Sequence, residues 1–216
     1  MGRWRKGLGR GSCSRRKRSV ERAIVKEIIL LGGPNGAGKT TTARVLKPEF
    51  FQLHPFLNAD EIARILSPDD PEGASFAAGR QMIERMRALV REGRSFAFET
   101  TCSGRSYIPM LKDCRANGWR ISLYYFLLPS PEHSIARVAK RVSQGGPSIP
   151  ADVIYRRFKT GLWNMRHLYL PLADTAAVYD NSGRRRVLIA EREAGLTLVI
   201  HDQERWSRIE ELTAWK

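Results

Sequence analysis

Eight residues, Gly33-Pro34-Asn35-Gly36-Ala37-Gly38-Lys39-Thr40, constrain this chain more than any other feature. They fit the pattern G-x-x-x-x-G-K-[ST], in which a glycine-rich turn wraps its backbone N–H groups around phosphate oxygens. Phosphates are bulky and anionic, so the chain must pass close to them, and glycine permits that approach without a Cβ clash. Lys39 brings a point charge to the β- and γ-phosphates. Thr40 offers its hydroxyl to Mg2+, Thr41 follows it, and the N-terminus of the helix adds partial positive charge. The setting agrees with the pattern. Residues 26–32 read as a buried strand, and Lys39 to about Leu46 as a helix closed by Pro48. The loop therefore predicts a binder of ATP with Mg2+.

Beyond the loop, apolar strands alternate with longer amphipathic stretches. Phe51–Leu57 reads as a second strand, although Pro55 lies inside it, and Asp60–Leu66 as a short helix stopping before Pro68. Ala74–Arg91 has helical spacing, with Met82, Met86 and Leu89 on one face. Then come a strand at Ser95–Phe98, a helix at Tyr107–Ala116 ended by Asn117-Gly118, and a strand at Ile121–Leu128. Helices follow at Pro131–Val142 and at about Pro150 to His167, separated by Gly145-Gly146-Pro147. Strands near Ala176–Tyr179 and Leu196–Ile200 and a helix at about Gln203–Ala214 complete the chain. This alternation predicts an α/β fold of the P-loop NTPase type. Its sheet is mainly parallel with helices on both faces, and residues of about 131–167 form a small helical lid.

A chain of 216 residues, 42% of them hydrophobic, is long and apolar enough to bury one substantial core. No stretch approaches the roughly 20 apolar residues of a membrane-spanning helix. The run at Ile28 follows a basic segment as a secretory leader would, but its right end feeds the phosphate loop. Cleavage there would destroy the loop, so a cytoplasmic protein is expected. Cys13, Cys102 and Cys114 have neither metal spacing nor a disulfide framework and read as reduced thiols. The four histidines are scattered without zinc spacing.

The net charge of +15 is unevenly spread. Residues 1–22 hold nine Lys and Arg against one acid, Glu21, and so carry +8. The remaining 194 residues carry +7, from 28 basic and 21 acidic side chains. The N-terminal segment is too poor in apolar residues to fold by itself and reads as a disordered tail ahead of a single phosphate-loop domain at 23–216. It is either a solvated extension or a basic arm for nucleic acid or an acidic partner.

Two carboxylates stand where apolar runs end. Asp60 follows Leu57-Asn58-Ala59, at the carboxyl end of a strand, where ligands of open α/β sheets bind. It either accepts a proton from a substrate hydroxyl or caps the helix that begins there. Glu99 ends Ser95-Phe96-Ala97-Phe98 and is followed by Thr100 and Thr101. It either holds a magnesium-bound water or substrate hydroxyl, or caps the following segment. In the helix at Pro131–Val142, Ile135, Val138, Ala139 and Val142 keep helical spacing and predict a buried face. Arg137, Lys140 and Arg141 then lie opposite it. Arg156 and Arg157 follow on the next helix. Two arginine-bearing helices about a Gly-Gly joint suit a lid that neutralises a transferring phosphoryl group.

Taken together, these motifs resemble the zeta-toxin-like P-loop kinases, in the chromosomal branch often labelled predicted ATPases. The matching pieces are Gly33 to Thr41, Asn58-Ala59-Asp60-Glu61-Ile62-Ala63, Phe98-Glu99-Thr100-Thr101, Arg137 to Gly146 with Ile149-Pro150, and Tyr179-Asp180-Asn181-Ser182. They occur in family order over about residues 25–190. The resemblance implies a kinase that phosphorylates a hydroxyl of a UDP-activated amino sugar such as UDP-N-acetylglucosamine, with an antitoxin protein as a partner. It implies Lys39 and Thr40 as ATP and magnesium contacts and Asp60 as general base. Glu99, Thr100 and Thr101 are then on the substrate, and Arg141 and Arg157 on the phosphates, with Arg156 one residue from that last role. Pro147 stands where the branch usually has histidine, and the long sugar-pocket segments of the toxins proper have no match. The alternatives are a nucleic-acid-associated ATPase or a polynucleotide-end kinase that uses the basic arm.

Overall fold

Ile28, Ile29, Leu30 and Leu31 are each at most 1% exposed, so the strand before the phosphate loop is covered on both faces. Successive side chains of a strand point to opposite faces. Ile28 and Leu30 join the larger apolar cluster, while Ile29 and Leu31 pack with Ala97 against Phe50, Phe51 and Phe56 on the other side. Each such aliphatic side chain contributes roughly 1.5–3 kcal/mol on burial.

The computed structural model describes residues 25–214. The expected tail at 1–22 and Cys13 lie outside them. The elements are β1 (Glu27–Gly32), α1 (Lys39–Leu46), α2 (Pro48–Leu53), β2 (Phe56–Leu57), α3 (Ala59–Leu66), α4 (Ser75–Arg91) and β3 (Phe96–Thr100). They continue with α5 (Ile108–Ala116), β4 (Arg120–Leu127), α6 (Pro131–Val142) and α7 (Ala151–Asn164). A π-helical stretch, Met165–Tyr169, leads from α7 into α8 (Leu170–Leu172), and β5 (Thr175–Asp180), β6 (Val187–Arg192), β7 (Val199–Ile200) and α9 (Gln203–Thr213) follow.

The strands form a single sheet in the order β2-β3-β1-β4-β5-β6-β7. The first five are parallel, and β6 and β7 add an antiparallel edge. In the register, Leu31 of β1 lies beside Glu99 of β3 and Gly32 beside Thr100. The carboxyl ends of β1 and β3 therefore open at one edge, where the site forms. The mainly parallel α/β fold agrees with the sequence.

Three expectations are corrected. Phe51–Leu57 is not one strand: Phe51–Leu53 belong to α2, with Pro48 at its first turn, and only Phe56–Leu57 pair with β3. Proline is pre-organised for a helix start, and this outweighed the β-preference of the aromatics. At the other end, β6 is a strand beyond those the sequence pattern predicts, and β7 is limited to Val199–Ile200 of the expected Leu196–Ile200. The third correction concerns α6, where Ser134 and Val138 are buried while Ala139 and Val142 are exposed. The helix is turned so that Ser134, Arg137, Val138 and Arg141 face inward, for a reason that the site makes plain.

Candidate active site

The phosphate loop is shaped by contacts that glycine makes possible. A Cβ on Gly33 would collide with the carbonyl oxygen of Phe126 at the end of β4. Gly36 has a φ of +76°, and a Cβ there would come within 2.9 Å of the Arg137 Cβ. Such backbone strongly favours glycine. Helix α6 is docked on this loop. Ser134 donates its hydroxyl to the carbonyl of Asn35, and the Arg137 guanidinium donates to Gly36 O at 3.4 Å and Ser182 O at 2.8 Å. Asn181, after β5, donates through Nδ2 to Ala37 O at 2.6 Å. A loop whose amides turn inward leaves its carbonyls outside, and these side chains satisfy them. The polar face of α6 is turned inward for that purpose, at the expense of its apolar spacing.

Lys39 is 6% exposed. Its Nζ donates to Pro34 O at 2.9 Å and lies 3.4 Å from Glu99 Oε1. The other oxygen of Glu99 accepts from the Thr40 hydroxyl and, at 3.3 Å, from Asn58 Nδ2. Glu99 is thus a strand-end carboxylate clamped to the loop, and not a helix cap. The cap reading of Asp60 goes too, because Asn58 is the N-cap of α3 and accepts from Asp60 N at 2.8 Å. The exposed carboxylate of Asp60 is left at the first turn of α3.

These groups line one cavity of about 610 Å3. Asn35, Gly36, Gly38, Lys39, Thr40 and Thr41 form its floor, with Asp60, Glu99, Thr100 and Thr101 on one wall. Arg137, Lys140, Arg141 and Arg157 form the other wall, so five cations face two carboxylates. That balance suits a polyanion. Arg157 reaches this cavity, whereas Arg156 lines only a neighbouring chamber of about 340 Å3 that shares Asp60 and Arg157 with it. Of the other loop residues named from sequence, Gly33, Pro34 and Ala37 are part of the turn but do not line the cavity.

The residues fit ATP and magnesium. Asn35 Oδ1 and Arg141 Nε are buried with no hydrogen-bond partner, which leaves room for a donor and an acceptor at these points. The paired oxygens of Thr40 and Glu99 are hard ligands of the type Mg2+ takes beside phosphates. No group of three or more His, Cys, Asp or Glu that could hold a metal occurs among the described residues. A nucleotide-borne Mg2+ does not need one, because phosphates and waters complete its shell.

Past Glu99 the chain makes a tight turn. Cys102 has a φ of +59° and is the non-glycine residue with positive φ among those described. Its amide donates to Thr100 Oγ1 at 3.0 Å, and Thr101 and Ser103 share a hydroxyl hydrogen bond of 2.8 Å. Burial pushes the Cys102 thiol up to about 12, against a smaller opposing effect of Lys39, so it stays protonated. Cys102 and Cys114 are both free.

The sequence pattern puts Arg137 with the lid arginines opposite the apolar face of α6, whereas here it braces the phosphate loop, and the pattern assigns no part in the site to Ser134, Asn58 or Asn181. Asn58 and Asn181 stood inside recognised motifs, which was the available signal. Ser134 had none.

Comparison with known proteins agrees with this geometry. The family model described as zeta toxin matches residues 12–193. An uncharacterised protein of Haemophilus influenzae is 32% identical over 130 residues, which is 60% of this chain and 91% of that protein. Among solved structures, the AvrRxo1-ORF1:-ORF2 complex with ATP contains a chain that superposes with a TM-score of 0.67 at 18% identity. That match covers 86% of this chain and 63% of the other, so this chain spans less than two thirds of that relative's length. The PezAT chromosomal toxin-antitoxin system of Streptococcus pneumoniae superposes with a TM-score of 0.59 at 19% identity, covering 93% of this chain and 83% of that one.

Proposed function

Because the chain belongs to the zeta toxin family, we propose that it is an ATP-dependent phosphotransferase acting on a hydroxyl of a UDP-activated amino sugar, such as UDP-N-acetylglucosamine. One observation carries the reading. A strand-end carboxylate (Glu99), a phosphate-loop lysine (Lys39) and an uncommitted carboxylate (Asp60) line a single cavity rimmed by cations.

The roles follow from the chemistry. Lys39 exchanges Glu99 for the β- and γ-phosphates. Asp60 takes the proton of the acceptor hydroxyl as its oxygen attacks the γ-phosphorus and ADP departs. Arg141 and Arg157 stabilise charge on the transferring group, and Thr100, Thr101 and Glu99 hold the acceptor. Thr40 and Glu99 would hold Mg2+, which would supply neutralisation of phosphate charge. The lid in this reading spans about residues 131–167, with the base of its first helix tied to the loop by Ser134 and Arg137. The reaction belongs where ATP is supplied, in the cytoplasm; no helix of the described residues is long and apolar enough to cross a membrane. Family membership and the toxin-antitoxin system of the pneumococcal relative support a protein antitoxin as partner.

The test is direct. Purified protein given γ-labelled ATP, Mg2+ and UDP-N-acetylglucosamine should label the sugar nucleotide. If neither this nor a related sugar nucleotide is labelled, the acceptor assignment is wrong.

A further inference from the structure

Asn164, at the end of α7, has no exposed surface, yet it lies about seven residues along from Arg157 on the same helix face. Its Nδ2 donates to Cys102 O at 2.8 Å and Ser103 O at 3.0 Å. Its Oδ1 accepts from Arg105 Nε at 3.2 Å. A guanidinium only donates, so Arg105 fixes which end of the amide is oxygen and turns the NH2 toward the two carbonyls. Arg105 itself lies over the Trp163 ring at 5.3 Å.

Two more contacts come from the same rod. Gly161, one turn before Asn164, lies so close to Thr101 that an added Cβ would collide with its carbonyl oxygen. Tyr169, in the π-helical stretch, donates its hydroxyl to Gly104 O at 2.6 Å. Residues 157, 161 and 164 therefore form one stripe, spaced i, i+4 and i+7. Its first member lines the cavity and the other two grip the turn that carries Thr101, Ser103 and Gly104 into the same cavity. The gripped turn contains Cys102 in its left-handed conformation, which a β-carbon disfavours and which persists only where surroundings impose it.

We propose that Asn164 is a positioning residue: with Gly161 it sets the 100–104 turn against α7 and so fixes the acceptor-binding wall relative to Arg157. This rests on the phosphotransferase reading above, but it makes a separate claim. The donor side is held by β1, β4 and α6, and the hydrogen bonds of Asn164 all go to residues 102–105 instead, so the amide acts on the acceptor side of the cavity. Loss of the amide frees the turn and leaves the phosphate loop as it was.

The experiment compares wild type, Asn164→Ala and Gly161→Ala. The second variant adds a methyl group, favours the helix and removes no hydrogen bond, so it keeps the test open should Asn164→Ala fold poorly. Three readouts are taken on the full chain: calorimetric affinity for Mg-ATP, hydrogen exchange of the peptide spanning 98–108, and phosphoryl transfer to UDP-N-acetylglucosamine. Both variants should keep Mg-ATP affinity within about threefold and exchange faster at 98–108. Transfer should lose about 100-fold in kcat/KM for the acceptor, the scale of a misplacement near 1 Å. Unchanged exchange at 98–108 in both variants, or equal losses in ATP affinity and transfer, overturns the proposal. If wild type transfers nothing to this sugar nucleotide, the acceptor reading fails, and the exchange and affinity comparisons decide the proposal alone.

Discussion

Lys39 Nζ stands 3.4 Å from Glu99 Oε1, and the two side chains are only 5% and 14% exposed. The lysine proposed to receive phosphate is already paired with a carboxylate on the neighbouring strand. A buried cation without a partner is costly, and the pair removes that cost before nucleotide arrives. The carboxylate then competes with phosphate for the same ammonium.

The competition is measurable. In Glu99→Gln the repulsion between Glu99 and the triphosphate is gone, so metal-free ATP should bind about tenfold tighter than to wild type. The dependence of ATP affinity on Mg2+ should shrink together with it. Calorimetry with and without a chelator reads both quantities. Equal gains from Mg2+ in the two proteins refute the placement of Glu99 at the metal.

Asp60→Asn keeps the shape of the α3 start, since Asn58 and not Asp60 supplies the cap. Mg-ATP affinity should stay within about threefold while transfer falls by about 10²–10⁴-fold, the range for loss of a general base. A radiolabelled transfer assay decides. Normal turnover in this variant removes Asp60 from the role of base.

Arg156 and Arg157 are adjacent on α7 and both line the smaller chamber, but only Arg157 reaches the larger cavity. Arg157→Ala should lower kcat by about 10²-fold or more through lost charge stabilisation. Arg156→Ala should change kcat by less than about threefold. Steady-state kinetics on the two alanine variants settle the assignment, and a reversed order overturns it.

Arg137 joins Gly36 O to Ser182 O through two guanidinium nitrogens. Lysine cannot span both carbonyls, so Arg137→Lys should behave like Arg137→Ala. Each should lose about 1–2 kcal/mol of stability, the worth of charge-assisted hydrogen bonds at a half-buried site. Urea denaturation measures it. Full recovery by lysine rules out the bridging role.

Asp180 closes β5, accepting from Ser182 N at 2.8 Å and from Arg205 Nε at 2.9 Å. Burial pushes its carboxyl up, but the Ser182 and Arg205 contacts outweigh that and hold it below the ordinary 3.8. A carboxyl lowered in the folded state stabilises above its unfolded value and loses that contribution as pH falls through the folded value. Wild type should therefore lose more of its Tm between pH 5 and pH 3 than Asp180→Asn does, by calorimetric scans. Parallel curves would mean that Asp180 contributes nothing to acid lability.

Much of the candidate site was legible because its residues form local patterns. Gly33 to Thr41 needs its residues in a fixed order to shape one turn, and Asp60 and Glu99 declare themselves by ending apolar runs. The face of α6 was not legible. Ile135, Val138, Ala139 and Val142 keep a perfect apolar spacing, yet Ser134 and Arg137 turn inward because carbonyls about 100 residues away need donors. Phe51–Leu53 likewise joined a helix opened by Pro48 against their own strand preference.

By itself the sequence determined that a phosphate loop sits between a buried strand and a helix, and that a parallel α/β sheet carries it. Glycine spacing and apolar period are properties of neighbouring residues and need no tertiary partner. The tertiary structure alone decided that Glu99 meets Lys39, that Arg157 and not Arg156 faces the cavity, and that Asn164 grips the turn after β3. Each of these depends on groups far apart in sequence coming together once the sheet has formed, and the Glu99 and Asn164 contacts satisfy polar atoms that this burial leaves unpaired.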